Sequence, residues 1–249
     1  MYGLIGYPLG HSFSAQYFTE KFLREGLDEC YKLFPIKDIN SLSELVDGNK
    51  TLNGLNVTIP YKQAVIPFLD KISGDASEIG AVNVIKISRS ENAAGTHLSG
   101  YNTDWKGFIE SLEPMLHPHV KKALILGSGG ASKAVVYGLK KRGIKPLIVS
   151  RSKNSGDMTY DDIDKTIMSE HLLIVNTTPL GMFPETEAYP DIPYNFLTPD
   201  HICYDLIYNP EQTEFMHKSA AMGAEVKNGL EMLHIQAELS WKIWNEHSE

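Results

Sequence analysis

Apolar residues along this chain switch repeatedly between short strand-like runs and stripes spaced three to four apart. Residues 2–6 form an apolar run that predicts a strand, turning at Tyr7-Pro-Leu-Gly10. A helix to about Arg24 follows, because Tyr17/Phe18, Phe22 and Leu23 recur at helical spacing, with Ser14 suited to cap its start and Gly26 to stop it. Further strands at 31–36 and 52–57 flank a helix near 38–46, and this β, α, β alternation implies a parallel sheet. Residues 81–87 read as another strand, 88–96 as a polar hairpin-like section, and 105–112 as a helix.

The second half repeats the alternation. An apolar run at 123–126 stops at Gly127, and a helix begins near Ala131 with Ala134, Val135, Gly138 and Leu139 on one face before Gly143 ends it. A strand at 147–152 and a polar section at 154–164 come next. A buried strand at 171–182 opens into a loop, and 201–210 read as a strand, 212–222 as a helix stopped by Gly223, and 224–227 as a short final strand. The last helix, 230–245, places apolar residues at 230, 233, 237, 241 and 244, which predicts one continuous packed face. Gln236 lies beside that face, where it either turns its amide into an enclosed site or meets solvent.

At 249 residues with 42% hydrophobic content, the chain suits one large domain or two modest ones. The formal net charge of −8 argues against nucleic acid as a partner but leaves room for a local basic pocket. No apolar run is long enough for a membrane span, and Met1 leads straight into a strand, so a cytoplasmic location is expected. Cys30 and Cys203 each sit in an apolar or aromatic run and are expected to be buried free thiols. His117-Pro-His119 lacks acidic or thiol companions and reads as a solvated loop, so no metal is expected.

Candidate chemistry gathers at the turns. Gly127, Ser128, Gly129, Gly130, Ala131 and Ser132 join a strand to a helix, and such a turn offers free N–H groups and a positive dipole end to a pyrophosphate. The next strand ends in Ser150-Arg151-Ser152 without the carboxylate that would hold a ribose 2′-hydroxyl, which favours NADP over NAD. Ser12 and Ser14, beside a helix N-terminus, suit a carboxylate ligand; equally, Ser14 merely caps the helix and Ser12 belongs to the turn. Thr58 and Lys62 neighbour each other at a strand end, where Lys62 is either a proton donor and anion partner or a solvated surface residue. Asn83, Asn102, Thr103 and Asp104 lie around strand ends, and Asp104 could serve chemistry or cap a helix.

Taken together, these motifs resemble the shikimate dehydrogenase family from Ile5 to Gln236. The matching segments are His11-Ser12-Phe13-Ser14, Asn56-Val57-Thr58-Ile59-Pro60-Tyr61-Lys62, Gly80-Ala81-Val82-Asn83, Asn102-Thr103-Asp104, the glycine turn, Ser150-Arg151-Ser152, the loop from Asn176 to Met182, and Gly229 to Gln236. The resemblance implies NADPH-dependent, reversible reduction of 3-dehydroshikimate to shikimate, with a small-molecule substrate and neither nucleic acid nor membrane as partner. It implies Lys62 and Asp104 as the catalytic pair, and Ser12, Ser14, Thr58, Asn83 and Gln236 as substrate contacts. Cofactor contacts are implied at Gly127, Ser128, Gly129, Gly130, Ala131, Ser150, Arg151, Ser152, Thr177, Met182, Tyr208 and Gly229. The implied fold is α/β with two domains: a substrate domain with a parallel-rich sheet (1–103 and 230–249) and a Rossmann-like NADP-binding domain (104–229), the C-terminal helix returning to the first. A monomer or homodimer is implied. Departures from the family pattern are Tyr7 in place of Asn, Ala15 in place of Pro, and Ser150 in place of Asn. Two other readings remain open: a binding module with little turnover, and a dehydrogenase that prefers quinate.

Overall fold

The structure is a computed structural model that describes residues 1–10, 12–89 and 95–246. His11 of the serine motif and part of the hairpin-like section at 88–96 lie outside the described residues. The chain divides into two compact units: Met1–Thr103 with Gln236–Glu249, and Asp104–Ile235.

The first unit contains β1 (Tyr2–Ile5), α1 (Phe13–Glu25), β2 (Tyr31–Phe34), α2 (Leu42–Gly48), β3 (Gly54–Val57), α3 (Tyr61–Ala64), β4 (Lys71–Ile72), α4 (Gly74–Ile79), β5 (Val84–Arg89) and β6 (Thr96–Tyr101). Its sheet runs β2-β1-β3-β5-β6-β4. The first three strands are parallel, as the alternation requires, but β5 pairs antiparallel with both β3 and β6. The strand expected at 81–87 therefore starts later, at Val84, and turns the sheet from parallel to mixed.

The central strands β1 and β3 are buried at every residue, so both faces of the sheet are covered there. On β1, Tyr2 and Leu4 pack with Phe18, Phe22 and Trp244, whereas Ile5 joins Leu55, Val57, Val82 and Ile85 in a second cluster. Trp244 stacks on Tyr2 with centroids 4.7 Å apart and donates its indole N–H to the Ile85 carbonyl at 3.0 Å. A Cβ on Gly54 would collide with that indole, so the absence of a side chain there lets the tryptophan lie on the sheet.

The second unit contains α5 (Asp104–Leu112), β7 (Lys122–Leu126), α6 (Gly130–Lys141), β8 (Lys145–Ser150), β9 (Met158–Thr159), α7 (Lys165–Glu170), β10 (Leu173–Asn176), β11 (Ile202–Asp205), α8 (Glu214–Ala221) and β12 (Glu225–Lys227). The last helix, α9 (Leu230–Asn245), begins in this unit and ends in the first. All strand pairs here are parallel, in the order β9-β8-β7-β10-β11-β12. Counted within the unit this is 3-2-1-4-5-6, the doubly wound order of dinucleotide-binding folds. Ala123 and Ile125 of β7 face one apolar cluster, and Leu124 and Leu126 face the other.

Three local expectations need correction. Cys203 is buried, which pushes its thiol up to about 12, but Cys30 is exposed in the segment leading into the edge strand β2. On α9 the packed face is not continuous: Leu230 is exposed, and Met232 instead joins the core of the second unit. The N-cap of α1 is Ser12, whose extended backbone lets its hydroxyl accept the Ala15 N–H at 3.4 Å, while Ser14 falls inside the first turn.

Candidate functional site

In the first unit, strand order brings the sequence motifs to one edge of the sheet. Because β1 and β3 are parallel neighbours with Ile5 opposite Val57, the serine-bearing and lysine-bearing loops leave the sheet side by side. Backbone bonds tie them: Thr58 N–H to the Ile5 carbonyl at 3.0 Å and Tyr7 N–H to the Ile59 carbonyl at 3.1 Å. Antiparallel β5 starts at that edge, so Asn83 arrives there, its carbonyl accepting the Val57 N–H at 2.8 Å. Strand β6 ends at the same edge with Asn102 and Thr103. Lys62 is half-buried in the single turn of α3, and its carbonyl accepts the Val82 N–H at 2.7 Å.

A polar network runs through this edge. Asn83 accepts the Thr103 N–H at 2.7 Å, and its Nδ2 reaches Thr103 Oγ1 at 2.9 Å and Gln236 Oε1 at 3.5 Å. Gln236 is therefore buried and turned inward, and its carbonyl also accepts the Ser240 hydroxyl at 2.7 Å. Asn56 donates to Ser240 Oγ at 3.1 Å and to the Asn83 carbonyl at 3.3 Å, and accepts the Tyr31 hydroxyl at 2.8 Å. The sequence reading placed no role on Tyr31 or Ser240. The spacing of Gln236 and Ser240, one turn apart on a largely apolar helix, was the available signal for the latter.

In the second unit, the turn after β7 and the loop after β10 meet where the strand order reverses, the position at which such sheets bind ligands. Gly127 has φ 106°, and a Cβ there would lie 2.8 Å from Thr177 Oγ1, which itself donates to the Leu126 carbonyl at 2.7 Å. At Gly129, the N-cap of α6, nothing lies within 4 Å of a would-be Cβ, no side chain caps the helix, and its first turn carries no acidic residue. These open backbone donors fit a dinucleotide phosphate. Ser128 and Gly129 are exposed, and Gly130 and Ala131 are half-buried.

Arg151 is exposed just past β8, as are Ser152 and Lys153, and Lys153 pairs with Asp162 at 3.2 Å. Ser150 is buried, and its hydroxyl bonds within the loop to the Ser152 carbonyl and to Ser155. Met182 is exposed, Tyr208 is half-buried beyond β11, and buried Gly229 donates to the Ile207 carbonyl at 3.0 Å. Asp104 is the first residue of α5 and is buried. Among the described residues no group of three or more His, Cys, Asp or Glu could hold a metal ion, and His117 and His119 stack on each other in an exposed turn.

An all-parallel sheet of this order with a glycine turn at its reversal point defines a dinucleotide-binding α/β protein, here joined to a mixed α/β unit. The model of the shikimate dehydrogenase substrate binding domain matches residues 4–85. The NADP(+) shikimate dehydrogenase of Carboxydothermus hydrogenoformans is 39% identical, the match covering 97% of this chain and 90% of the relative. Shikimate 5-dehydrogenase from Thermus thermophilus, solved in complex with NADP(H) and shikimate, is 28% identical with a TM-score of 0.85 over 98% of this chain and 92% of that one. Quinate dehydrogenase from Corynebacterium glutamicum, solved with NAD, is also 28% identical with a TM-score of 0.85, covering 98% of this chain and 93% of that one. The chain belongs to the shikimate dehydrogenase family.

Proposed function

We infer that this chain catalyses the reversible, NADP-dependent reduction of 3-dehydroshikimate to shikimate, in aromatic amino acid biosynthesis. The observation that carries this reading is the convergence of the serine, lysine and asparagine motifs on one sheet edge of the first unit. In this reading residues 1–103 and 230–249 bind substrate, and residues 104–229 bind NADP. No helix among the described residues is long and apolar enough to cross a membrane, and we place the enzyme in the cytoplasm as a monomer or homodimer.

Ser12 and Ser14 offer hydroxyls at the start of α1 to the substrate carboxylate, while Thr58, Asn83 and Gln236 offer hydroxyl and amide groups to the hydroxylated ring. The open amides from Gly127 to Ala131 hold the pyrophosphate, and Arg151 and Ser152 hold the 2′-phosphate, with Ser150 shaping their loop. Thr177, Met182, Tyr208 and Gly229 complete the cofactor surface. When bound, the nicotinamide supplies the hydride in one direction and accepts it in the other. Reduction leaves negative charge on the former ketone oxygen, so a donor must stand within about 3 Å of it. Lys62 gives that proton and takes it back in reverse, with Asp104 as the second member of the pair. The test is a steady-state absorbance assay crossing shikimate and quinate with NADP and NAD. Fastest turnover on shikimate with NADP is expected; preference for quinate or NAD, or no turnover, overturns the corresponding part.

A further inference from the structure

Asn176, the last residue of β10, is fully buried, and the groups around its side-chain amide leave it one orientation. Its Nδ2 donates to Asp205 Oδ1 at 3.0 Å and lies 3.5 Å from the Leu180 carbonyl. Both are acceptors here, since Asp205 Oδ1 also takes the Ile207 N–H at 3.0 Å. On the other side, Asn176 Oδ1 accepts the Thr178 N–H at 3.0 Å and the Thr178 hydroxyl at 2.7 Å. A flipped amide would set donor against donor at the Thr178 N–H and acceptor against acceptor at Asp205. The Thr178 hydroxyl gives its proton to Asn176 and accepts the Leu180 N–H at 3.3 Å with a lone pair, so no proton is used twice. The start of the loop after β10 is thus wrapped around one side chain. It also closes over the glycine turn: a Cβ on Gly127 would lie 2.8 Å from Thr177 Oγ1 and 3.0 Å from Thr178 Cγ2.

Strand order decides which half of a dinucleotide this loop meets. Arg151 follows β8, on one side of β7, and the glycine turn follows β7 itself. With the 2′-phosphate at the first and the pyrophosphate at the second, the nicotinamide half extends to the other side of β7, where the loop after β10 stands. We propose that Asn176 is a positioning residue for the nicotinamide half of the cofactor, its amide holding residues 177–180 in the shape that receives it. Asp205 sets the direction of that amide, and Thr178 carries it on to the backbone of Leu180. The proposal rests on the reading that the second unit binds NADP.

Thr178→Val keeps the shape of the side chain and removes only the hydroxyl that Asn176 holds. By isothermal titration calorimetry it should raise the NADP Kd roughly 3- to 10-fold, the scale of one neutral hydrogen bond. Binding of adenosine 2′,5′-bisphosphate, which carries the 2′-phosphate but no nicotinamide, should stay within about twofold of wild type. Thr178→Ser restores the hydroxyl and should bind NADP as wild type does. In an Asn176→Ala background Thr178→Val should have no further effect on the NADP Kd. An unchanged NADP Kd, an equal loss for both ligands, no rescue by Thr178→Ser, or the same loss with and without Asn176 overturns the proposal. Should Asn176→Ala not fold, the two ligands measured on Thr178→Val and Thr178→Ser decide alone. Wild-type protein that binds both ligands without this difference among its variants refutes the role of Asn176 alone, whereas wild-type protein that binds neither refutes the cofactor reading and the proposal together.

Discussion

Thr213 donates its hydroxyl to Asp205 Oδ2 at 2.6 Å, and both residues are fully enclosed. Oδ1 of the same carboxylate accepts Asn176 Nδ2 and the Ile207 N–H, each at 3.0 Å, so Asp205 joins the loops that follow β10 and β11. Burial outweighs these donors and raises the Asp205 carboxyl from 3.8 to about 6. Between those values the folded protein keeps a proton that the unfolded chain has lost, so stability falls as pH rises through this window. A shift of this size corresponds to about 3 kcal/mol. Asp205→Asn cannot ionise, so its stability relative to wild type should improve by about that amount between pH 4 and 7, as read from urea midpoints. A difference between the two proteins that does not vary with pH would refute this.

Cofactor preference should depend on one cation. Lys153 is paired with Asp162, whose carboxylate also accepts the Thr159 N–H and hydroxyl at 2.9 and 2.8 Å. That leaves Arg151, exposed beyond β8, as the group placed to meet a 2′-phosphate. Arg151→Ala should raise the KM for NADP by about tenfold or more, the scale of a charged hydrogen bond, and leave the KM for NAD nearly unchanged. Equal changes for both cofactors would remove the phosphate role.

The second unit was far more legible in the sequence than the first. Its parallel strands are buried on both faces and alternate with helices, so Ala123 to Leu126 and Leu173 to Val175 announce themselves as apolar runs, and the glycines mark the turn. In the first unit, parallel β3 and antiparallel β5 carry the same kind of apolar pattern, and nothing local records the direction of pairing. The two-residue strands β4 and β9 are too short to show a period. The cap of α1 was misread because Ser12 and Ser14 are chemically identical candidates, and backbone geometry alone separates them. Tyr31 was invisible for a different reason: its contacts are to Asn56, 25 residues away, and to Phe18 on α1.

Lys62 is well suited to a clean test, because its backbone is held independently of its ammonium by the 2.7 Å bond from Val82 N–H to its carbonyl. Lys62→Ala should therefore keep the fold of α3 while lowering kcat by roughly 10²-fold or more, the usual scale for losing a general acid, with a smaller change in shikimate KM. Single-turnover measurements with 3-dehydroshikimate and NADPH would show whether the loss lies in the chemical step. Near-normal kcat with weakened binding would make Lys62 a binding residue.

Ser12 and Ser14 can be told apart because only one of them caps α1. Ser12 accepts the Ala15 N–H at 3.4 Å, a long bond, whereas Ser14 lies within the first turn of the helix. Ser12→Ala should cost about 1 kcal/mol or less of stability, lowering Tm by roughly 2–4 °C in a chain of this size. If both hydroxyls hold the substrate carboxylate, each Ser→Ala change should also raise the shikimate KM by roughly 10- to 150-fold, since a hydrogen bond to a charged group contributes about 1.5–3 kcal/mol. The KM for NADP should barely move, because the glycine turn belongs to the other unit. Thermal melts run beside shikimate kinetics on both variants separate the outcomes. A drop in Tm for Ser12→Ala with its shikimate KM intact reduces Ser12 to a cap, and an unchanged KM in both variants removes the carboxylate from this helix end altogether.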